Sequence, residues 1–472
     1  MTINAATIEY VNIVVVGGGI AGIAIAEFLA RHSNLSIKVV ERAEKLGSLA
    51  SGKLEGWFHT GALYAGQDDA QTFINCVNSL EDLISLYTPH FPGRCNIALQ
   101  ERSPDFFAPT TIPQSQGWFH SAPVYLIHPQ ADAPESRLSR LKSDAVQLEI
   151  QRHRVLGRLE VAYGQQHNWL REGKCLAPSY AQIEEHEGLD CSLRHPIETV
   201  RQLCQQFDAS YGLGASNYEV LRTLDCSMDP SAILRDLVAS ALSCGVTFQT
   251  GVTIEKLLID SYGPMRIKSL LCQTAAGRQH LKADLFVFAV GEGFAPFLSD
   301  LRVRARLKRS RSAMVVAEPA LLETNFVRMS TKPRFHFNHF VQHREVGGEP
   351  LIYSMLANSG YSSSDSESEG EQVDIEPLLE SAERYFGKDK LYSRRLLSYE
   401  CVKTEFVSEE EQKRRYSYWL ESDPSSNYLC VLPGKFSFFP TVAFQAYQRI
   451  KAAFPFTESP PQSPFTPTAH LE

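Results

Sequence analysis

The sequence predicts an α/β fold built on a parallel sheet, and three observations lead to that prediction. First, residues 11–16 form an apolar run that ends in a glycine-rich turn and passes directly into a helical pattern of small residues. Second, two further apolar runs, residues 283–290 and 428–432, also end close to a glycine. Third, helical patterns lie between these runs along the chain. Continuous apolar strands separated by helices are typical of a sheet that is buried on both faces.

The first glycine turn has the spacing of a dinucleotide-binding site. Gly17 permits the tight turn, Gly19 lets the backbone approach a pyrophosphate, and Gly22 lets the helix pack closely on the strand. The N-terminus of that helix offers N–H groups and partial positive charge to phosphates. The next strand, residues 37–40, ends in Glu41, at the spacing of an acid that contacts ribose hydroxyls. These features predict a Rossmann-type nucleotide domain; the alternative is that the glycines serve only the turn and its packing.

The other elements are predicted in chain order from the period of their apolar residues. Helices are predicted over residues 68–87, 148–168, 199–211, 230–244, 375–386 and 440–453. Strands are predicted over residues 245–254, 267–273, 279–281, 283–290, 313–317, 334–342, 351–356 and 428–432.

The strand predicted at 334–342 has an alternating pattern that assigns its side chains to two faces. Phe335, Phe337 and His339 share one face, and the other carries Arg334, His336 and Asn338. The polar face is interpreted either as part of a substrate site or as a solvated surface. Because the two histidines fall on opposite faces, no shared metal site is predicted.

At 472 residues the chain is long enough for two joined domains. After Glu41 the next clear α/β passage begins only near Met228, which indicates that one domain interrupts the other. We therefore predict a discontinuous nucleotide-binding domain from residues 1–65, 225–300 and 395–452, and a substrate domain from residues 66–224 and 301–394. Residues 453–472 are proline-rich and are predicted to be a disordered tail. Residues 361–374 are acidic and serine-rich, which predicts a solvated loop or, alternatively, a phosphorylated one.

Composition excludes several classes of protein. The net charge is −8 and there is no long basic block, which argues against nucleic-acid binding. The ten cysteines contain no C-x-x-C pair, so a reducing compartment is predicted, without disulfides or a zinc site. Residues 11–30 are nearly uncharged and long enough to cross a bilayer, but their glycines and Glu27 favour the nucleotide turn over a transmembrane segment. With no basic secretory start at the N-terminus, a cytoplasmic protein is expected.

Residues 39–64, from Val-Val-Glu-Arg to Trp-Phe-His-Thr-Gly-Ala-Leu-Tyr, resemble the FAD-dependent oxidoreductases of the D-amino-acid oxidase superfamily. That group includes glycerol-3-phosphate dehydrogenase, L-2-hydroxyglutarate dehydrogenase, glycine oxidase and dimethylglycine dehydrogenase. The order of segments 228–234, 245–248 and 283–291 also follows the family. The resemblance covers residues 1–65, 225–295 and 395–452. It implies a glutathione-reductase-like FAD-binding domain of Rossmann type with an interleaved α+β substrate domain.

The resemblance also implies which residues contact FAD. The pyrophosphate would lie against Gly17, Gly19, Gly22 and Gly291, and the adenosine ribose against Glu41. The remaining contacts would come from Arg42 and the Val252 backbone near adenine, from Ser48, Ser51 and Lys53 along the path to the flavin, and from Gly434 and Lys435 beside the isoalloxazine ring. A lysine near that ring, Lys53 or Lys435, would supply positive charge. No metal site is predicted.

His59 and Lys403 are the catalytic candidates. A histidine has a pKa near physiological pH, so His59 would remove a proton from the substrate or orient it. One alternative is a packing histidine. Another is covalent flavin attachment, as in the dimethylglycine dehydrogenase branch, although here Phe58 separates the histidine from Trp57. Lys403 replaces the arginine of the family's Gly-Leu-Arg-Pro pattern, and lysine does not reproduce the bidentate carboxylate geometry of arginine.

The function predicted from these residues is FAD-dependent oxidation of a C–H bond beside an amine or hydroxyl group. The substrate is expected to be small and anionic, with Arg311 as one possible partner for its charge. Hydride would pass to the flavin, and dioxygen or a quinone would reoxidise it. Two alternatives stay open: an NAD(P)H-using flavin monooxygenase or reductase, and a non-enzymatic binding protein like the guanine-nucleotide dissociation inhibitors.

Overall fold

Two mixed sheets organise the chain. The computed structural model describes residues 7–59, 61–64, 70–95, 117–129, 191–213, 218–260, 265–303, 305–330, 335–347, 349–358, 362–364, 373–407, 417–422, 425–459 and 463–465. The chain divides into two units. Unit 1 comprises Met1–Gly52, Ile233–Arg309 and Val402–Glu472, and unit 2 comprises Lys53–Ala232 and Ser310–Cys401.

The α-helices of the described residues are α1 (Ile20–His32), α2 (Ala70–Asp82), α3 (Cys191–Ser210), α4 (Pro230–Ser243), α5 (Glu376–Phe386), α6 (Lys388–Tyr392) and α7 (Phe439–Ala453), and a π-helix, Leu83–Tyr87, continues α2. The strands are β1 (Thr7–Val16), β2 (Ile37–Val40), β3 (Trp57–Phe58), β4 (Phe119–Pro129), β5 (Tyr218–Met228), β6 (Thr247–Gln249), β7 (Thr253–Ile259), β8 (Ile267–Thr274), β9 (Gly277–Phe288), β10 (Arg306–Glu318), β11 (Asn325–Arg328), β12 (Phe337–Val346), β13 (Glu349–Ala357), β14 (Ser362–Ser364), β15 (Arg395–Val407), β16 (Trp419–Glu421) and β17 (Tyr428–Leu432). The predicted helix at 148–168 lies outside the described residues.

The sheet of unit 1 has the strand order β16-β17-β9-β1-β2-β6, and β8 joins β9 to β7. β17, β9, β1, β2 and β6 run parallel to one another. Their apolar residues are buried because helices and a hydrophobic cluster that includes Val14, Phe286 and Cys430 cover them. The fold class predicted from the sequence is therefore confirmed for this unit.

Two local predictions for unit 1 are refined by the structure. Residues 11–30 form a strand, a turn and a helix, which excludes one continuous apolar helix over that segment. The predicted strands at 279–281 and 283–290 are one long strand, β9, and a two-residue turn joins β8 to it between Thr274 and Gly277. No helix in the described part of the chain is long and apolar enough to span a membrane.

The sheet of unit 2 has the order β14-β10-β13-β12-β11-β4-β5-β3, and β15 pairs with β10. One face, the helix-covered face, packs against α3, α5 and α6 through residues such as Phe207, Tyr385 and Leu391. The opposite face, called here the Trp57 face, holds Trp57, Val124, Leu126, Met314, Val327, Met329, Phe340, Met355, Ala357 and Cys401. Neighbouring residues of one strand fall in different clusters, as strand geometry requires.

The alternation predicted for residues 334–342 is confirmed where the residues are described. Phe335 and Phe337 belong to the helix-covered face, and the His339 ring lies 5.4 Å from that of Phe326, on the same side. Asn338 points to the opposite face and is 6% exposed. The interpretation of that face as a solvated surface is therefore wrong at Asn338. Arg334 lies outside the described residues.

A buried ion pair ties α3 to the unit 2 sheet. Arg328 of β11 donates from Nη2 to Asp208 at 2.8 Å and from Nη1 to the Phe335 carbonyl at 2.6 Å. The Tyr218 hydroxyl donates to the other Asp208 oxygen. Because a buried charge is tolerated only when it is paired and hydrogen-bonded, this arrangement fixes the helix over one position of the sheet.

The chain after α7 is held in place at its beginning. Ser33 forms an isolated bridge with Glu458, and the Tyr447 hydroxyl donates to Glu458 at 2.6 Å. The predicted disordered tail, 453–472, therefore starts with residues that contact α1 and α7. Residues 460–462 and 466–472 lie outside the described part, as do residues 365–372 of the acidic, serine-rich segment 361–374.

Candidate functional site

The carboxyl edge of the unit 1 sheet brings together the bends that the sequence singles out. Val16 pairs with Val40 on one side and with Phe288 on the other, and Phe288 in turn pairs with Cys430. The four strands that end here lead to Gly17, Glu41, Gly291 and Gly434. Parallel strands lie about 4.8 Å apart, so β17 and β1, on either side of β9, are roughly 10 Å apart. Segments distant in the chain thus share one edge.

The first bend is closed tightly against its neighbours. Gly17 has φ +111°, and a Cβ there would lie within 3.0 Å of the Ala289 carbonyl oxygen. A Cβ at Gly22 would lie within 3.0 Å of the Gly17 carbonyl oxygen. Both positions therefore require glycine for steric reasons as well as for the backbone angle of the first. The bend and the end of β9 lie in direct contact.

The start of α1 presents backbone donors at this edge. Gly19 caps the helix without a side-chain bond, and the Ile20 N–H donates to Ser51 Oγ at 2.9 Å. The N–H groups of Ala21 and Gly22 lie in the first turn, where no acceptor exists within the helix. Such donors and the helix dipole favour a phosphate group.

Glu41 lies directly beside the glycine turn. Its Oε2 accepts the Gly18 N–H at 2.6 Å, and its Oε1 accepts the Ala43 N–H at 2.8 Å. The carboxylate is half-buried and fixed in orientation by these two bonds. An acid so placed has further lone pairs for the hydroxyl groups of a ribose.

The adjacent predicted contacts differ in how well the structure supports them. Arg42 is exposed and Ser48 is half-buried at the same edge, whereas Lys53 is exposed and belongs to unit 2. The Val252 N–H donates to the Glu41 carbonyl at 2.9 Å, so it is used within the protein. For the backbone contact to adenine that the resemblance implies at Val252, the carbonyl is the group that this hydrogen bond leaves available.

The two later glycines serve different purposes. Gly291 has φ +54°, and a Cβ there would meet no atom within 4 Å, so the backbone borders open space. Gly434 has φ +66°, and a Cβ there would lie within 3.0 Å of the Ser417 carbonyl oxygen. Lys435 is half-buried, and its N–H donates to the Pro433 carbonyl at 2.7 Å. Taken with the donors of α1 and with Glu41, this edge fits the diphosphate and ribose of FAD.

In unit 2, His59 lies next to an aromatic residue and a buried acid. β3 pairs with β5, which sets Trp57 opposite Ser227. The His59 ring is 4.1 Å from the Trp57 ring, and its Nδ1 lies 3.8 Å from Asp225 Oδ2. The Trp57 indole N–H donates to the same Asp225 oxygen at 2.9 Å. His59 is 8% exposed and Asp225 is 1% exposed, so both are held rigidly.

Sequence reasoning missed Asp225, because nothing near it in the chain marks it. A buried acid within a strand that borders His59 is visible only once β3 and β5 are paired. The other catalytic candidate, Lys403, is half-buried on β15 and belongs to unit 1, two residues beyond Cys401. The structure therefore places the two candidates in different units.

Sequence reasoning also missed a polar group on the Trp57 face. Asn338 Nδ2 donates to Glu55 Oε2 at 3.1 Å, and Gln342 Nε2 donates to the Glu55 carbonyl at 3.0 Å. Phe340 lies between these two amides on β12, with its ring 5.1 Å from that of Trp57. The alternation of β12 was the available signal, because it predicted Asn338 on this side.

Two other buried histidines of unit 2, His339 and His120, are neutral members of its core. Burial lowers the pKa of His339 to about 4 and that of His120 to about 3. His339 Nδ1 lies 2.9 Å from the Thr324 carbonyl, so it carries the proton, and Nε2 accepts from Ser354 at 2.8 Å. Both rings are neutral at physiological pH. Among the described residues no group of histidine, cysteine or acidic side chains has the arrangement of a metal site.

Arg311, considered as a partner for an anionic substrate, forms an ion pair with Glu400 at 3.5 Å. It lies on the same side of β10 as Ala313 and Val315, which belong to the helix-covered face. Its charge is therefore already paired, on the side of the sheet away from Trp57.

Comparison with protein families matches residues 12–404 to the model described as FAD dependent oxidoreductase. A search of curated proteins finds no match to this chain. The family match spans the glycine turn, Glu41, His59 and Lys403.

Comparison with solved structures gives similar folds at low sequence identity. NikD, an amino acid oxidase essential for nikkomycin biosynthesis, is 14% identical with a TM-score of 0.59, over 95% of this chain and 94% of NikD. Glycine oxidase from Geobacillus kaustophilus is 12% identical with a TM-score of 0.56, over 98% and 100% of the two chains. L-α-glycerophosphate oxidase from Mycoplasma pneumoniae, solved with FAD bound, is 14% identical with a TM-score of 0.54, over 97% and 98%. At such identities the likeness establishes the fold.

Proposed function

The chain belongs to the FAD-dependent oxidoreductase family, and from that premise we propose that it oxidises a C–H bond beside an amine or hydroxyl group of a small molecule. The observation that carries the proposal is the meeting of the Gly17, Gly291 and Gly434 bends with Glu41 at one edge of the unit 1 sheet. When bound, FAD supplies the two-electron acceptor for this oxidation.

Residues of unit 1 would hold the cofactor. The turn from Gly17 through Gly19 to Gly22 and the first N–H groups of α1 would bind the pyrophosphate, with the open backbone at Gly291 on the other side. The Glu41 carboxylate would accept from the ribose hydroxyls. Arg42 and the Val252 carbonyl would border adenine, Ser48, Ser51 and Lys53 would line the path to the ring, and Gly434 and Lys435 would border the ring itself.

His59 would act on the substrate. Its neighbour Asp225 accepts the Trp57 indole proton and lies near His59 Nδ1, an arrangement that orients the imidazole and favours its accepting a proton at the other nitrogen. Lys403 would position the substrate through its charge. The surrounding aromatic side chains of Trp57 and Tyr64 would exclude water from the reacting atoms.

The substrate's charge and the final electron acceptor are separate matters. The anionic group expected from the sequence has no partner in Arg311, because that residue is paired with Glu400. The proposed reaction is therefore oxidation of a C–H bond beside an amine or hydroxyl group, with no negative charge assigned to the substrate. Dioxygen or a quinone would reoxidise the cofactor.

The test begins with the absorbance of the purified protein. We expect bands at about 370 and 450 nm, as for flavins in general. Amines, amino acids and hydroxy acids are then screened under anaerobic conditions for bleaching of the flavin band at about 450 nm. At least one of these classes should bleach it. Bleaching by NAD(P)H alone would favour the monooxygenase or reductase alternative. A colourless protein that takes up no added FAD would favour the non-enzymatic binding protein and contradict the proposal.

A further inference from the structure

Two oxygen acceptors, one from Glu55 and one from Asn338, lie on the Trp57 face, and no cation of the described residues is paired with the Glu55 carboxylate. Asn338 Nδ2 donates to Glu55 Oε2 at 3.1 Å. Among the described residues, no lysine, arginine or histidine forms an ion pair with the Glu55 carboxylate. Within the same residues, the Asn338 amide is the one hydrogen-bond donor to that carboxylate. The Glu55 main chain is fixed, because Gln342 Nε2 donates to its carbonyl at 3.0 Å and to that of Gly56 at 3.4 Å. The main chain of Glu55 is therefore held against β12, and the Asn338 amide holds one oxygen of its carboxylate.

The second acceptor is the Asn338 amide oxygen. The residue is 6% exposed, and its Oδ1 accepts no hydrogen bond from the described part of the protein. The identity of this atom is determined by its partner: a carboxylate accepts hydrogen bonds, so the amide atom facing Glu55 is the nitrogen, and Oδ1 is the other. A buried carbonyl oxygen of this kind is costly unless a ligand or water donates to it.

Aromatic side chains adjoin the two acceptors. Phe340 follows Asn338 on the same face of β12, and its ring lies 5.1 Å from the Trp57 ring. Tyr399 packs against the hydrophobic cluster of the Trp57 face. Burial raises its pKa, and the nearby charges of Cys401, Tyr353 and Glu55 raise it further. Faces of aromatic rings next to a carboxylate attract organic cations.

Arg344 and Arg311, two arginines of the unit 2 sheet, lie away from this position. Arg344 shares the face of β12 with Asn338, but it is six residues further along the strand, about 20 Å away. Arg311 lies on the helix-covered side in its ion pair with Glu400. A carboxylate or phosphate beside Glu55 would meet a like charge, whereas a cation would meet two acceptors.

We infer that Glu55 and Asn338 form a subsite for the protonated amine of a cationic substrate, with one N–H donating to each residue. The inference rests on the proposed oxidation, since it names the charge class of the molecule that unit 2 would bind. It assigns to this chain a substrate with an ammonium group in place of the anionic substrate expected from the sequence. Glu55 supplies the charge selection, and the Asn338 oxygen selects for an N–H donor.

The test is calorimetric titration of the purified full-length protein at constant ionic strength with three probes. Propylammonium carries charge and N–H donors, tetramethylammonium carries charge alone, and propionate carries the opposite charge. We expect propylammonium to bind, tetramethylammonium to bind about ten-fold more weakly, and propionate not to bind, because a hydrogen bond to a charged group accounts for at least that factor.

Two matched variants assign the effect. Glu55→Gln keeps the shape and an acceptor for the Asn338 amide, and should weaken propylammonium binding about ten- to a hundred-fold. Glu349→Gln removes the same charge from an exposed position of unit 2, and should leave binding within about two-fold, because surface charges are screened. Thermal melting and flavin content of each variant report whether the fold is intact.

Several outcomes would overturn the inference. These are absence of propylammonium binding, equal binding by the Glu55→Gln variant with its fold intact, and tighter binding of propionate. Equal binding of tetramethylammonium would overturn the role of the Asn338 oxygen. Calorimetry does not depend on flavin, so a protein that contains flavin and is bleached by neutral hydroxy compounds but ignores propylammonium would refute the subsite alone. A colourless protein that takes up no added FAD would refute the proposed oxidation, while the titration would still report on Glu55.

Discussion

At the scale of single residues, the surroundings of His59 depend on a contact between segments far apart in the chain. Asp225 is 168 residues from Trp57, yet its Oδ2 accepts the indole proton at 2.9 Å and lies 3.8 Å from His59 Nδ1. A carboxylate near one imidazole nitrogen orients the ring and leaves the other nitrogen to accept a proton. His59 is 8% exposed, so most water is excluded from its ring and the buried Asp225 carboxylate is a close charge.

Replacement of His59 by alanine tests its role. We expect the variant to keep its flavin and its melting temperature but to reduce that flavin about a hundred-fold more slowly with substrate, the usual loss when a general base is removed. Stopped-flow absorbance under anaerobic conditions measures the rate. Unchanged reduction kinetics would remove His59 from the catalytic residues.

Asp225→Asn is the companion variant, since an amide oxygen can still accept the Trp57 proton at the position of the carboxylate. It removes the charge near His59 and leaves the packing. A lower kcat with an unchanged KM would fit orientation of His59 by Asp225. Loss of both flavin and stability would instead mean that the carboxylate serves the fold.

At the scale of elements, the turn between β1 and α1 depends on how closely the chain can approach itself. Alanine is favoured over glycine within a helix by about 1 kcal/mol, so Gly22 is unfavourable for helix formation alone. It is required here because a Cβ would lie within 3.0 Å of the Gly17 carbonyl oxygen. The helix start, with its free donors, can therefore lie against the end of the strand.

Gly22→Ala should for this reason destabilise unit 1 and lower the flavin content of the purified protein, in spite of the gain in helix propensity. Gly293→Ala is the matched control, because a Cβ there would meet its nearest neighbour, the Val290 Cβ, at an ordinary 3.5 Å. The ratio of flavin to protein absorbance and the melting temperature measure both effects. Full flavin content and an unchanged melting temperature in Gly22→Ala would contradict the steric argument.

At the scale of the whole molecule, both units are assembled from separate stretches of chain. Unit 1 draws on three stretches and unit 2 on two. Stability therefore depends on buried groups whose environment exists only after distant segments have met. His120 and His339 are examples, because each is buried and neutral in the folded protein.

These two histidines predict a loss of stability in mild acid. Their pKa values in the folded protein, about 3 for His120 and about 4 for His339, lie below the ordinary value of 6.5. The unfolded chain therefore binds protons first, so the stabilisation is complete above pH 6.5 and is lost as the pH falls below that value. Each histidine should lower the free energy of unfolding by up to about 1.4 kcal/mol per pH unit.

Urea denaturation between pH 7 and about 4.5, within the window of these shifts, measures this dependence. The matched variant is His339→Gln, which cannot titrate. Its free energy of unfolding should fall less steeply with pH than that of the parent protein. Parallel pH dependence in the two proteins would mean that His339 does not contribute.

Much of unit 1 could be predicted from the sequence because its signals are local. The glycine spacing at 17–22, the acid at 41 and the apolar runs each occupy a few consecutive residues, and parallel strands must present their carboxyl ends at one edge. Unit 2 could not be predicted in the same way. The neighbours of β12 in its sheet and the pairing of β3 with β5 arise from contacts between segments that carry no shared pattern.

The amino-acid pattern was thus sufficient for the class of fold and for the glycine turn between β1 and α1, since these depend on chain geometry over short distances, whereas the role of His59 stays a prediction. The surroundings of His59 and the paired acceptors at Glu55 and Asn338 were not readable in advance. Which acid lies near which base, and which amide oxygen is buried without a donor, depends on strand pairing across more than a hundred residues. Burial then decides which of these polar groups matter, because a charge or a carbonyl oxygen away from water must find a partner.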